Sequence, residues 1–450
     1  MTVQSEKAPV ATRMLEQEAR ALLTRLDRLQ PYSLRMPMVA SAAISPQAMT
    51  AIEHHMARAR RRLHGMVGDY LRWLRGPAGQ LTSPAEAQRR FTFLRLRFIS
   101  LISQFDIFAD VISQRSEHET GVWVAGLDDV AAEALELPGV YRAPPVICYL
   151  ERGHGAAIRR ARTRLPGGDE NPVAVIRVPR ERMVGSGVAS SLVHEVGHQA
   201  AALLDLVNSL RPALQERLQN GDGQVTAWRL WERWISEIVA DFWSVAKVGI
   251  AAPLGLIGVV SLPRAFVFRV DVEDPHPAPW IRVKLSCAMG QALYPHPQWA
   301  ALARLWESFY PLDDLREEKR RLFAAMETAI PDFVSLLVNH RPLALRGQSL
   351  KEALASPERQ PAQLAAYYRA WRVSPTLMRA APPTLAFAAV GQAKFDGRIT
   401  PEEESRTLAD LLTYWAARSA LDTSAVCATQ PRPRALKRAP RPQTKYSFIA

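Results

Sequence analysis

The feature that most constrains this chain is a pair of histidines set four residues apart in an apolar run. Residues 191 to 199 read Ser-Leu-Val-His-Glu-Val-Gly-His-Gln. The neighbours Leu192, Val193, Val196 and Ala200 carry a helical apolar face, so the segment is expected to be a helix packed on a core. A helix brings residues four apart onto one face, one turn from each other. His194 and His198 would then point two imidazoles at one spot, where they can hold a Zn²⁺ ion at about 2.0–2.1 Å. Glu195 is rotated by one residue around the axis, which sets its carboxylate beside a bound water rather than on the metal. Gly197 costs a helix interior about 1 kcal/mol relative to Ala. Close approach of another backbone would explain its presence.

The surroundings fix where this helix lies. Pro144 to Leu150 and Val173 to Val178 read as strands, and Ala156 to Leu165 between them reads as a helix closed by Pro166-Gly167-Gly168. The motif helix, Val188 to Leu206, follows the second strand and should lie against a small sheet. Everything before about residue 120 reads as helix: 10 to 30, ended by Pro31, then Ser45 to Leu74, then a helix opened by the Ser83-Pro84-Ala85-Glu86 capping box and running to Ile112. After the motif come helices at Val225 to Lys247, Gln298 to Tyr310, Leu315 to Ile330, Asp332 to Asn339, Pro361 to Trp371 and Thr384 to Val390. A last one, opened by Thr400-Pro401-Glu402-Glu403, runs to about Leu421. The fold class expected is therefore α+β, predominantly helical. The boundaries expected are a helical region over 1–135, the site-bearing domain over 136–345, a second helical region over 346–428 and a basic, Pro-rich, disordered tail over 429–450.

Zinc hydrolases use three protein ligands and leave one position for water. The residue six positions after His198 is Leu204, so the third ligand must come from another element. Glu237 is the best candidate, because Ile238, Val239 and Phe242 surround it with apolar residues and a buried carboxylate needs a cation. Asp241, one turn on, can accept the free ring N–H of a ligand histidine and fix its tautomer. Pairing of both acids with an arginine such as Arg233 is the competing expectation.

His-Glu-x-x-His followed on a separate helix by Glu-x-x-x-Asp resembles the gluzincin family of zinc metallopeptidases. The resemblance implies His194, His198 and Glu237 as ligands of one Zn²⁺, Glu195 as general base and Asp241 as support for a ligand histidine. It also implies a zincin-like catalytic domain, a small sheet plus the active-site helix, flanked by the helical regions. Within Asp274 to Arg282, the pattern His-Pro-x-x-x-x-Arg is similar to a segment of the CaaX-prenyl-protease and heat-shock membrane-protease group. This likeness implies that His276 stabilises the oxyanion and that Arg282 braces the site or contacts substrate. Tyr294, His296 and Tyr310 are alternative oxyanion donors. The function expected is hydrolysis of a peptide or protein substrate. The alternative is a helical interaction or scaffold protein with an idle metal site, its basic arms binding nucleic acid or an acidic partner.

Composition narrows the setting. Cys148, Cys287 and Cys427 form no CxxC pair, which argues against a disulfide framework or zinc finger. With an N-terminus that lacks a secretory pattern, this suits a cytoplasmic location. The most apolar stretch, Val248 to Leu262, is interrupted by Pro253 and is shorter than the roughly 20 residues of a membrane span, so it reads as buried core and no span is expected. The net charge of +13 is concentrated: six Lys/Arg and no acid lie in the last twenty residues, and ten Arg against Asp69 and Glu86 lie between Arg58 and Arg97. The tail is a possible contact for an acidic partner or nucleic acid. The Arg58 to Arg97 stretch reads as a charged outer helix face. His54 and His55 on that basic helix read as solvated, and His154 as a loop residue that could line the cleft. Asp396 to Glu403 resembles half an EF-hand loop but reads as a helix-capping turn, because Gln392 and Lys394 are poor Ca²⁺ ligands.

Overall fold

The computed structural model describes residues 3–153, 155–166, 168–180, 185–219, 225–271 and 273–429. His154 and the basic tail beyond residue 429 lie outside the described residues. The chain is mostly helical with one three-stranded sheet: β1 (Val146–Glu151), β2 (Ala157–Arg159) and β3 (Ala174–Pro179), in the order β1-β3-β2. β1 runs parallel to β3 with Val146 opposite Ala174, and β2 runs antiparallel to β3 with Ile158 opposite Ile176. Side chains alternate across a strand, and here the two faces enter different cores. Val146, Cys148, Leu150, Ala174, Ile176 and Val178 join the main core, whereas Ile147, Val173 and Val175 pack against Phe105, Phe108 and Ile112 of the N-terminal helices. The sheet is thus a middle layer with helices on both sides.

The segment expected as a helix over Ala156 to Leu165 is instead β2 followed by turns. Tertiary partners override its helical periodicity. The Ala161 N–H donates to the Gln199 side chain at 2.8 Å, Arg162 adopts a left-handed φ of 63°, and the Asn171 amide donates to the carbonyls of Arg159 and Arg160. The other expected helices and strands are present with small shifts, while His118–Leu135, Ala251–Val260 and Pro279–Leu293 are helices that the sequence pattern does not assign. The motif helix is Ser186–Leu203; Asp205, at a left-handed φ of 52°, turns the chain into a separate helix, Leu206–Gln219. The glutamate helix, Val225–Val248, ends at Gly249 with a φ of 57°. Two helices expected on either side of Pro331 are one, Glu317–Asn339, with Pro331 inside it.

The main core is continuous from Val124 to Trp415, so the helix His118–Leu135 and the C-terminal helices share it with the sheet. Val248 to Leu262 forms the helix Ala251–Val260, whose Ala251, Leu256 and Val260 are buried there. Among the described residues one helix, Glu317–Asn339, is long and apolar enough to cross a membrane; Phe323, Met326, Phe333 and Leu337 on it are buried in the core.

A second core joins the helices Val3–Asp27, Pro46–Arg75 and Pro84–Ser113 into a three-helix bundle through Leu22, Leu26, Leu63, Val67, Phe91 and Leu101. Ser83 caps the third helix by accepting from the Glu86 N–H, while the Glu86 carboxylate pairs with Arg89 and Arg90. The Thr400–Glu403 box closes in both directions. His54 is exposed, but His55 is not solvated: it is buried, with Nε2 2.8 Å from Gln104 Oε1 and its ring edge-on to Phe108. The interhelical partner Gln104, 49 residues away, gives its ring nitrogen a bond that water would otherwise supply.

Candidate metal centre

The motif helix and the glutamate helix pack at an unusually short distance. A Cβ built on Gly197 would lie 2.8 Å from Ala240 Cα and 2.9 Å from Ala240 O, so only glycine fits. This contact brings His198 and Glu237 onto facing surfaces. Behind it, Trp243 ties the glutamate helix to the core by donating to the Ala134 carbonyl at 3.0 Å.

His194 Nε2 lies 3.1 Å from Glu237 Oε2, and His198 Nε2 lies 3.3 Å from Glu237 Oε1. One donor atom from each of the three residues falls within 4.8 Å of the other two. A tetrahedral ion with bonds of about 2.0–2.1 Å separates its ligand atoms by roughly 3.3 Å; each imidazole is near that distance from a different oxygen of Glu237. The two imidazoles stand nearly perpendicular, 86° apart, with centroids at 4.9 Å. The group could therefore hold a metal ion.

The second ring nitrogens are also held. His194 Nδ1 is 2.8 Å from Asp241 Oδ1, and His198 Nδ1 is 3.4 Å from Ser236 Oγ. Bonds at both Nδ1 atoms leave both Nε2 atoms facing Glu237. Asp241 is in turn gripped by Arg282, from Nε at 2.6 Å and from a terminal nitrogen at 2.8 Å. Arg282 comes from the helix Pro279–Leu293, which starts on Pro279, where a missing N–H costs nothing. An arginine does pair with both acids, but it is Arg282, which also lies 3.8 Å from Glu237 Oε2; Arg233 donates instead to the Glu273 carbonyl.

The electrostatics follow from burial and these contacts. Burial alone would lower the His194 pKa, but Asp241 and the bonds to Asp241 and Glu237 outweigh it and raise it to about 9. Burial favours neutral Glu237, yet the hydrogen bonds and charges of both imidazoles hold it far below the usual carboxylate range. Burial opposes Asp241 ionisation too, and Arg282 followed by His194 brings it to about 2. The field at the Nε2 atoms thus favours positive charge, and a metal ion would compete there with a proton. Glu195 behaves differently. It is 8% exposed, and burial together with the Glu237 charge raises its pKa against the pull of both histidines.

Glu195, His194, Asp241, His276 and Arg282 line one pocket of about 140 Å³, closed on its other sides by Gly155, Ala156, Ala252, Leu256 and Val259. His276 is half exposed. Its Nε2 is 3.4 Å from Glu237 Oε2, and its Nδ1 is 2.7 Å from Asp274, which also accepts the His276 backbone N–H at 3.0 Å. The alternative oxyanion donors are elsewhere. Tyr294 is buried with its hydroxyl on the Ala246 carbonyl, Tyr310 donates to the Leu262 carbonyl, and His296 accepts from the Gln298 N–H. None of the three lines the pocket. Each is held by a backbone partner the sequence does not reveal. Ser236 and Asp274 were not anticipated; the Asx turn implied by Asp-Pro-His was the available clue for Asp274. The Asp396 turn binds internally, with Asp396 accepting from Gln392 at 3.0 Å.

No family model, no curated protein and no solved structure matches this chain.

Proposed function

We propose that the chain is a zinc-dependent peptidase of the gluzincin type, with a zincin-like unit of sheet and motif helix holding the site. The observation that carries this reading is a buried carboxylate, Glu195, that lines the same pocket as His194 and feels the charges of His194, His198 and Glu237. Holding a second carboxylate out of water beside Glu237 is costly, and a metal site that only braced the fold would have no use for it. The donor set of two imidazoles and one carboxylate is the one zinc hydrolases use, with a further position left for water.

A zinc ion on these three atoms would supply Lewis acidity toward a carbonyl and make water acidic near neutral pH. Glu195 takes the proton from the attacking water on its carboxylate and delivers it to the leaving amine nitrogen. His276, with its Nδ1–H on Asp274, donates from Nε2 in its imidazolium form to the oxygen that gains negative charge. Asp241 and Arg282 hold the His194 ring in place.

The sheet supports a peptide as substrate. Among the described residues β2 pairs only with β3, and the residues that lead into it, Gly155 and Ala156, line the site pocket. An edge strand beside the cleft can pair with an extended backbone.

The test is metal analysis of the purified chain together with a proteolysis screen of the wild type and Glu195→Gln. The expected result is one zinc per chain in both proteins and a loss of turnover of about 10²–10⁴-fold in the variant. Full activity of Glu195→Gln would remove Glu195 as the base, and a wild type that binds no divalent ion would remove the proposal.

A further inference from the structure

The third helix of the N-terminal bundle, Pro84–Ser113, has an outward face that is exposed among the described residues. Phe93, Leu96 and Ile99 follow one another at three-residue spacing along it and are 67%, 57% and 54% exposed. Its inward face is accounted for, since Ala87, Phe91, Leu94, Phe98 and Leu101 fill the bundle core. Three large apolar side chains in one exposed row are a contiguous patch, unlike the scattered exposed residues every protein carries.

The charge along the row itself is positive: Arg89, Arg90, Arg95 and Arg97 lie within residues 87 to 105, with Glu86 before the row and the exposed Asp106 and Asp110 beyond its C-terminal end. Arg89 and Arg90 share Glu86, whereas Arg95 and Arg97 have no ion pair among the described residues. At 100° per residue Arg95 lies on one flank of the row and Arg97 on the other, with Arg89 near its N-terminal end. Leu81, 89% exposed, stands at the tip of the hairpin that leads into this helix.

We propose that this face is a docking surface for an anionic lipid bilayer. A convex ridge of Phe, Leu and Ile with arginines along both flanks can sink its apolar row to the acyl boundary while the guanidinium groups stay with the phosphates. Charge complementarity selects this occupant. A second copy of the chain would set Arg against Arg across the contact. A nucleic acid would satisfy the arginines but press the apolar row against phosphates, which gains nothing for Phe93, Leu96 and Ile99. The ridge lies on the bundle and not in the metal pocket, so the inference stands apart from the proposed peptidase reading.

The test uses the full chain and co-sedimentation with vesicles of phosphatidylcholine, with and without about one-third phosphatidylserine. The expected result is binding to the anionic vesicles only, weakened by raising salt from about 0.1 M to 0.5 M. The double variants Phe93→Ser/Leu96→Ser and Arg95→Gln/Arg97→Gln should each lose at least about tenfold in binding. Their sites are at the surface, so both should keep the wild-type melting temperature. Absence of binding to anionic vesicles overturns the proposal. So does binding that both double variants retain, which would place the contact on another basic segment. Retention of a single-stranded RNA oligomer, lost in the arginine variant, without vesicle binding would assign the face to nucleic acid instead.

Discussion

The N-terminal bundle and the unit that holds the candidate metal centre bury opposite kinds of residue. The bundle core of Leu22, Leu26, Leu63, Val67, Phe91 and Leu101 has no charged member, and its arginines are on the outside. The metal-centre unit withdraws Glu195, Glu237, Asp241 and Lys284 from water within two layers of helix. Apolar burial stabilises at about 25 cal/mol per Å² with little demand on orientation. A buried ion stabilises nothing unless each of its partners is in place. The bundle should therefore tolerate change in small steps, whereas the metal-centre unit should fail abruptly when one partner is removed.

The sharpest way to break this contrast is Asp241→Asn. It leaves the Arg282 guanidinium buried with half its partner gone, so unfolding free energy should fall by about 3–5 kcal/mol in a urea titration. A loss within 1 kcal/mol would show that the buried pair is dispensable and that the two regions do not differ. Leu63→Ala in the bundle should cost about 2–5 kcal/mol as a cavity. The effect should be graded, with Leu63→Val or Leu63→Met costing clearly less in the same titration.

Removing a bound metal with a chelator tests the contrast without mutation. An ion present at about 100 times its Kd contributes about 2.7 kcal/mol. Amide exchange in the motif and glutamate helices should speed up on chelation while the bundle helices keep their protection; equal acceleration everywhere would mean the two regions unfold as one.

His55 is the exception within the N-terminal helices, and its effect should be smaller. Burial lowers its pKa below the ordinary 6.5. A histidine kept neutral in the folded state contributes stability that is present above the unfolded value and lost as pH falls through 6.5 and below. Replacing His55 by Gln should flatten the acid side of the stability curve, read from urea midpoints at about pH 5 and 7.5. The smallest effect belongs to Arg89→Ala, which loses only the surface pair with Glu86, worth about 0.2–1 kcal/mol.

What the sequence revealed follows the same division. The helices, the two longer strands and the His194–Glu195–His198 arrangement are local patterns, written in periodicity and capping. Glu237 and Asp241 were legible only beside the His194–Glu195–His198 pattern, because two acids one turn apart on an apolar helix can equally serve to pair with an arginine, as both do with Arg282. The hidden features all depend on partners distant in the chain. Ala156 to Leu165 folds as strand and turn because Gln199 and Asn171 take its backbone groups. His55 is buried because Gln104 meets it, and Tyr294 is removed from the site because the Ala246 carbonyl holds its hydroxyl. No spacing rule encodes such meetings.

The contact of Gly197 with Ala240 sits one residue before His198 and one before Asp241. The distance across the cage is thus a main-chain dimension, out of reach of rotamer adjustment. A methyl group at position 197 would act as a wedge under the cage, spreading the imidazoles from the carboxylate while leaving every donor atom in the sequence. Such a variant would keep its secondary structure while pulling the three candidate ligand residues apart.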